Sequence, residues 1–135
     1  MNNPRYPYGN QQILEGDIHW LTDDLKIVLV GTQSYTYSAI HQSLADISAD
    51  ARVATSGTLE NRTSTYGVAD ADDVSFGSVS AGPRIDAAIL YKDTGTESTS
   101  TLIAYMPDGV GLPIYPDGSI VRITFDNGAN KIFIL

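Results

Sequence analysis

Residues 25–31 read LKIVLVG, and the reading of this stretch decides the fold. After Lys26 the run Ile27, Val28, Leu29, Val30 is apolar without a break and rich in β-branched residues. A run this short, closed by Gly31, suits a strand better than a helix, and continuous apolarity marks a strand covered on both faces. It predicts a central strand between two layers. Working outward, ARVATSG (51–57), RTSTYGV (62–68) and DVSFGSV (73–79) are short runs laden with Thr and Ser and bounded by Gly and Asp. That is the habit of a half-exposed antiparallel sheet. RIDAAILYK (84–92) and STLIAYM (100–106) are two further strands about one loop. In SIVRITF (119–125), Val121, Ile123 and Phe125 alternate with Arg122 and Thr124, which calls for one buried and one wet face. The final KIFIL (131–135) is expected to pair back across Asn127-Gly128, the strongest short hairpin signal in the chain. One helix interrupts the strands. In SAIHQSLADISAD (38–50), Ile40, Leu44 and Ile47 fall at helical spacing behind a Ser38 N-cap. The expected fold is therefore mainly β: an antiparallel β-sandwich or barrel-like domain with one short helix and an extended N-terminal arm.

The arm is residues 1–20, leaving 21–135 as a single β-rich domain. Pro4 and Pro7 forbid a central strand, and NQQILEGDIHW (10–20) offers one or two helical turns before Gly16. Tyr6 and Tyr8, running into Ile13, Leu14, Ile18 and Trp20, argue against a disordered tail. Such an arm docks on its own domain or on a neighbouring subunit. Because Pro4, Tyr6, Pro7 and Tyr8 form a restricted segment that loses little entropy on ordering, they are the expected interface residues toward a neighbour.

Turn chemistry recurs along the chain. Asp93-Thr94-Gly95-Thr96 is the string that aspartic proteases place around a catalytic carboxylate, but here Lys92 precedes Asp93 and is expected to pair with it or hold it ionised. The protease reaction needs two carboxylates sharing a proton, and the apolar strand that should follow is replaced by TESTSTL (96–102). A hairpin loop accounts for it better, with Asp93 bonding the turn amides and Gly95 in the left-handed region. Two Pro-Asp-Gly turns, at Asp108-Gly109 and Asp117-Gly118, form a second such device.

Composition removes whole classes of function. The net charge is −8 and the eight Lys and Arg are scattered singly, so no patch would neutralise a run of phosphates and nucleic acid is not an expected partner. No cysteine means no disulfide framework and no thiolate metal site. The N-terminus lacks the apolar segment of a signal peptide, and no run approaches membrane-spanning length, which predicts a soluble chain made in the cytoplasm. Asp70, Asp72 and Asp73 form the densest acidic cluster and offer oxygens to Ca²⁺, yet Ser75 and Ala81 stand where an EF-hand loop needs Gly and Glu. An acidic loop opening a strand is the favoured reading. His19 and His41 are the only histidines, with no nucleophile elbow to serve and no phosphate-binding glycine loop. Asn61-Arg62-Thr63 fits a glycosylation acceptor that, without a secretory signal, is expected to be accidental. No enzyme activity and no cofactor are expected.

The strings DDLKIVLV, YTYSAIHQSLADI, ARVATSGTL, GVADADDVSF, LYKDTGTESTSTLIAYM, GLPIYPDG and TFDNGANKIFIL together resemble a widespread family of small structural proteins of tailed bacteriophages and prophages. The likeness covers roughly residues 23–135. It implies a virion protein, assembled in the host cytoplasm, with no catalytic residues to carry over. Within the particle it implies a capsid cement or decoration protein, bound to the major capsid protein as a homo-oligomer, a trimer by analogy. A tail or head-to-tail connecting component is the alternative, and a carbohydrate-binding module a more distant one.

Overall fold

A computed structural model describes residues 4–31, 35–107, 112–125 and 132–134. Its elements are α1 (Pro7–Leu14), β1 (Leu25–Val30), β2 (Arg52–Thr55), β3 (Val68–Ala69), β4 (Val74–Ser78), β5 (Ala87–Lys92), β6 (Leu102–Met106), β7 (Ile120–Ile123) and β8 (Phe133–Ile134). All strand pairings are antiparallel: β2-β1-β5-β6 form a four-stranded sheet, while β3–β8 and β4–β7 form two ribbons. The domain is mainly β, as its strand-rich sequence requires.

The central position of β1 follows from its side chains. Successive residues point to opposite faces, so Leu25, Ile27 and Leu29 enter one core cluster while Val28 and Val30 enter a second. The first cluster also holds Ala69, Val74, Val121, Ile123 and Phe133, which places both ribbons over that face. The second holds Ala87, Ile89, Tyr91, Leu102 and Tyr105 of the sheet with Tyr35, Ile47 and Ala51, so the irregular segment after β1 covers the other face. Each strand with both faces covered is stabilised by roughly 1.5–3 kcal/mol per fully buried large side chain.

The arm belongs to this core. Arg5 bridges Ala104 antiparallel, the Tyr6 amide donates to the Ile103 carbonyl at 3.1 Å, and the Tyr105 amide donates to the Pro4 carbonyl at 2.8 Å. The arm thereby closes the β6 edge, which would otherwise present unpaired backbone groups. Pro7 then opens α1 at the position where a missing N–H costs nothing. Gly9 faces β6 so closely that a Cβ there would overlap the Leu102 carbonyl oxygen. Gly16, at φ +81°, ends the turn that follows the helix.

Four expectations are corrected. Tyr6 is fully buried among Tyr35, Tyr37 and Tyr105 of its own chain, because its ring fills the second core, and it is not available to a neighbour; Pro4 and Pro7 are exposed and Tyr8 half-buried. Residues 38–50 form no α-helix. Ile40 is 83% exposed, and the chain extends at Ser43 to bridge Thr101, with the Leu44 amide on the Ser100 carbonyl and the Leu102 amide on the Gln42 carbonyl. Only two short 3-10 turns remain, Leu44–Asp46 and Ala49–Ala51. The Asp46 carboxylate accepts the amides of Gln42 and Ser43, and the Arg52 guanidinium donates to the carbonyls of Leu44 and Ile47, so tertiary partners take the groups a helix would have used. Lys92 turns away from Asp93, as adjacent strand residues do, and meets Asp23 at 3.1 Å; Lys26, opposite Tyr91, shares the Asp93 side of the sheet and pairs with it at 2.6 Å. Finally, among the described residues β7 pairs with β4 and β8 with β3 and not with each other, as the expected hairpin would require; Asn127 and Gly128 themselves lie outside the described residues.

Candidate interaction surface

An apolar cleft of about 100 Å³ opens where the two ends of the chain meet. Ile13 comes from α1, Ile18 and Trp20 from the segment after it, Ser64 and Gly67 from the approach to β3, Ala69 from β3 itself, and Phe133 from β8. Trp20 stands edge-on to Phe133, with ring centroids 5.6 Å apart and planes at 79°, and its indole N–H donates to the Thr63 carbonyl at 2.8 Å. That bond satisfies the one polar atom of the indole and leaves its remaining surface to line the cleft. The Arg5 guanidinium lies over the Phe133 ring, 5.3 Å from its centroid.

Tyr66 lies in sequence between the lining residues Ser64 and Gly67 and does not itself line the cleft. Its backbone lies in the left-handed region (φ 54°, ψ 34°) and its side chain is 99% exposed. A non-glycine residue held there costs about 1–3 kcal/mol, and no burial of the ring offsets that cost. Leu14 and Leu21, next in sequence to Ile13 and Trp20, are 81% and 56% exposed. Glu15 and Asp17, which lie in sequence between Ile13 and Ile18, are exposed. The sequence reading passed over Tyr66 and the cleft. Thr65-Tyr66-Gly67 looks like any turn in a hydroxyl-rich run, and the positive φ of a tyrosine has no local signature.

Of the expected turn residues, Asp93, Gly95, Asp117 and Gly118 are among those described. The Gly95 amide donates to Asp93 Oδ1 at 2.9 Å and Gly95 has φ +86°, so Asp93 shapes a turn between β5 and β6. Its carboxyl is held below the ordinary value by the Lys26 ammonium and the Gly95 amide. Asp117 accepts the Ser119 amide at 3.0 Å, and Gly118, at φ +93°, donates to the Val79 carbonyl at 2.8 Å. Asp108 and Gly109 lie outside the described residues.

The acidic cluster does not converge on one point. Asn61 donates to Asp72 at 2.5 Å, the Phe125 amide donates to Asp73 at 3.0 Å, and the Asp70 backbone pairs with Thr63. Asp72 and Asp73 line an open cleft of about 300 Å³ with Thr58 and Glu60. Among the described residues no group of three or more His, Cys, Asp or Glu could hold a metal ion. His41 Nδ1 lies 2.8 Å from the Tyr35 hydroxyl, which in turn lies 2.8 Å from that of Tyr6. Burial pushes the Tyr35 hydroxyl up to about 12 and raises that of Tyr6 further, so both stay protonated at neutral pH and tie the arm to the loop after β1. His19 sits at the surface beside Asp23, far in sequence and role from this chain of hydroxyls. No protein-family model and no curated protein matches the sequence.

Proposed function

We propose that this chain is a structural component of a tailed-bacteriophage particle, a cement protein on the outside of the head that binds the major capsid protein as a homo-oligomer. One observation carries the reading: the seven strings of residues 23–135 that resemble small phage structural proteins. The surface supports it. Leu14, Leu21, Ile40, Tyr66, Tyr115 and Ile120 are all more than half exposed on a chain of net charge −8. Large apolar side chains left outside a small domain suit a protein whose task is contact. Many copies of a modest interface, repeated by capsid symmetry, would brace the shell against packaged DNA.

The test is the composition of purified particles from a lysogen or phage carrying the gene. A cement protein is present on the order of hundreds of copies per particle, as shell symmetry dictates, and its deletion leaves heads that burst sooner under heat or chelation. A handful of copies would move the chain to the tail or the head-to-tail connector. Absence from particles would overturn the virion reading.

A further inference from the structure

We propose that His41 is a pH-sensitive latch on the N-terminal arm: when neutral it completes a chain of hydrogen bonds that holds Tyr6 in its socket, and when protonated it breaks that chain and loosens the arm from β6. The chain has two contacts. Tyr6 and Tyr35 meet hydroxyl to hydroxyl at 2.8 Å, and the Tyr35 hydroxyl meets His41 Nδ1 at 2.8 Å. Two hydroxyl hydrogens serve both contacts when Nδ1 accepts, since Tyr6 then donates to Tyr35 and Tyr35 donates to His41. Neutral His41 carries its own hydrogen on Nε2. A protonated imidazole is a donor at both nitrogens, so three hydrogens compete for the same two contacts and one hydroxyl is left with no acceptor. Bulk water does not take it up, because Tyr6 is 0% exposed and Tyr35 4%. A buried donor without a partner costs its full desolvation. His41 is half-buried, which leaves it open to protons from solvent.

The groups around the chain do not remove the mismatch. Asp46 is the carboxylate that acts on His41 and on Tyr35, but it is exposed and its Oδ2 already accepts the amides of Gln42 and Ser43. It draws a proton toward His41 without giving the surplus hydroxyl hydrogen an acceptor. The Tyr37 hydroxyl donates to the Arg5 carbonyl at 2.7 Å. Tyr105 packs against Tyr35 and Tyr37, with ring centroids 6.3 and 5.2 Å away, and faces Asp86, which pairs with Arg84 at 2.5 Å. Loosening has a defined consequence. The arm closes the β6 edge through the Tyr6 amide on the Ile103 carbonyl and the Tyr105 amide on the Pro4 carbonyl, so a displaced arm uncovers that edge and the tyrosine-lined half of the core. The latch is independent of the function proposed above.

Amide hydrogen exchange of the full-length chain reads the latch. Protection of the Tyr6 and Tyr105 amides, corrected for the intrinsic exchange rate at each pH, should fall by about tenfold between about pH 8 and about pH 5.5. In that window histidine changes charge and ordinary carboxylates do not. His41→Asn keeps a side-chain acceptor but does not titrate, and it retains His19 and the terminal amine, so its protection should stay level across the window. Tyr35→Phe removes the middle hydroxyl, so protection should start lower and also stay level; if tyrosine packing alone held the arm, protection would drop but the pH response would survive. His19→Asn should respond as the unaltered chain does. Nitrogen-15 spectra of the His41 imidazole at about pH 8 should show Nδ1 as the acceptor and the hydrogen on Nε2. The proposal is overturned by protection that holds or rises on acidification, by a hydrogen on Nδ1 at about pH 8, or by a His41→Asn or Tyr35→Phe chain that keeps the full response. Should Tyr35→Phe fail to fold, His41→Asn and the imidazole spectrum decide the matter alone.

Discussion

Asp93 shows what a single residue reveals in sequence and what it hides. Its bond to the Gly95 amide and the positive φ of Gly95 are local, set by residue types two positions apart, and Asp-Thr-Gly announces them. Its ion partner is not local. Lys26 is 67 residues away and meets Asp93 only through the register of β1 on β5, so the sequence suggested the adjacent Lys92 instead. The pairing predicts a pH dependence. The folded-state pKa of Asp93 is lowered from 3.8 by Lys26 and Gly95, so its stabilisation is fully present above 3.8 and is lost as pH falls through the lower folded value. Asp93→Asn should therefore cost about 1–3 kcal/mol at pH 7, a gap that narrows below pH 3.8 in urea titrations; a gap constant down to acid-induced unfolding would contradict the pair. Gly95→Val separates strain from crowding. No atom lies within 4 Å of a Cβ built at Gly95, so the expected loss of about 1–3 kcal/mol comes from the left-handed backbone alone. Asn at the same position should recover most of that loss in the same titration, because it tolerates the conformation.

Elements were legible where one side-chain pattern decided them and illegible where distant chain competed. The alternation of β7 and the two-faced burial of β1 follow from period alone. The spacing of Ile40, Leu44 and Ile47 was equally regular, yet the chain there extends to reach residues 100–102, and one backbone bridge with an arginine and an aspartate outweighs helix propensity. The arm's destination stays open in the sequence for a related reason. Prolines and tyrosines define a stiff apolar segment but not whose core it enters, and the Tyr6 socket is built from Tyr35, Tyr37 and Tyr105, far along the chain. With the socket known, arm and domain should unfold together. Tyr6→Phe should cost about 1 kcal/mol by leaving the Tyr35 hydroxyl one partner short, and Tyr6→Ala about 3–5 kcal/mol through the cavity. Deleting residues 1–8 should destabilise the β domain and expose the β6 edge to aggregation. Chemical denaturation of the three chains checks this, and an arm-deleted protein as stable as the full chain would mean that the arm merely rests on β6.

At the scale of the whole molecule, the two ends of the chain are joined through one aromatic contact. β8 reaches past β7 to pair with β3, with Ala69 opposite Phe133 and the Ile132 amide on the Ala69 carbonyl at 3.0 Å. Phe133 then touches Trp20 and lies beneath Arg5, so the arm, the segment after α1 and the last strand share a single side chain. Asn-Gly suggested a hairpin in the sequence because turn propensity is local. The competing attraction, an apolar site for Phe133 beside β3, exists only once the first core has formed. Phe133→Ala should therefore do more than lower stability by about 3–5 kcal/mol. It should shift the native-state emission of Trp20 to the red, because one wall of the indole's surroundings is removed and water enters the enlarged cleft. It should also loosen the arm, seen as faster hydrogen exchange at the amides of Tyr6 and Tyr105, which bond across the arm and β6. Tyr115→Ala, at a ring 73% exposed, serves as the control that leaves all three readouts unchanged. A Phe133→Ala chain with lowered stability but unaltered Trp20 emission and arm exchange would show that β8 closes the sheet locally and that the ends of the molecule fold independently of each other.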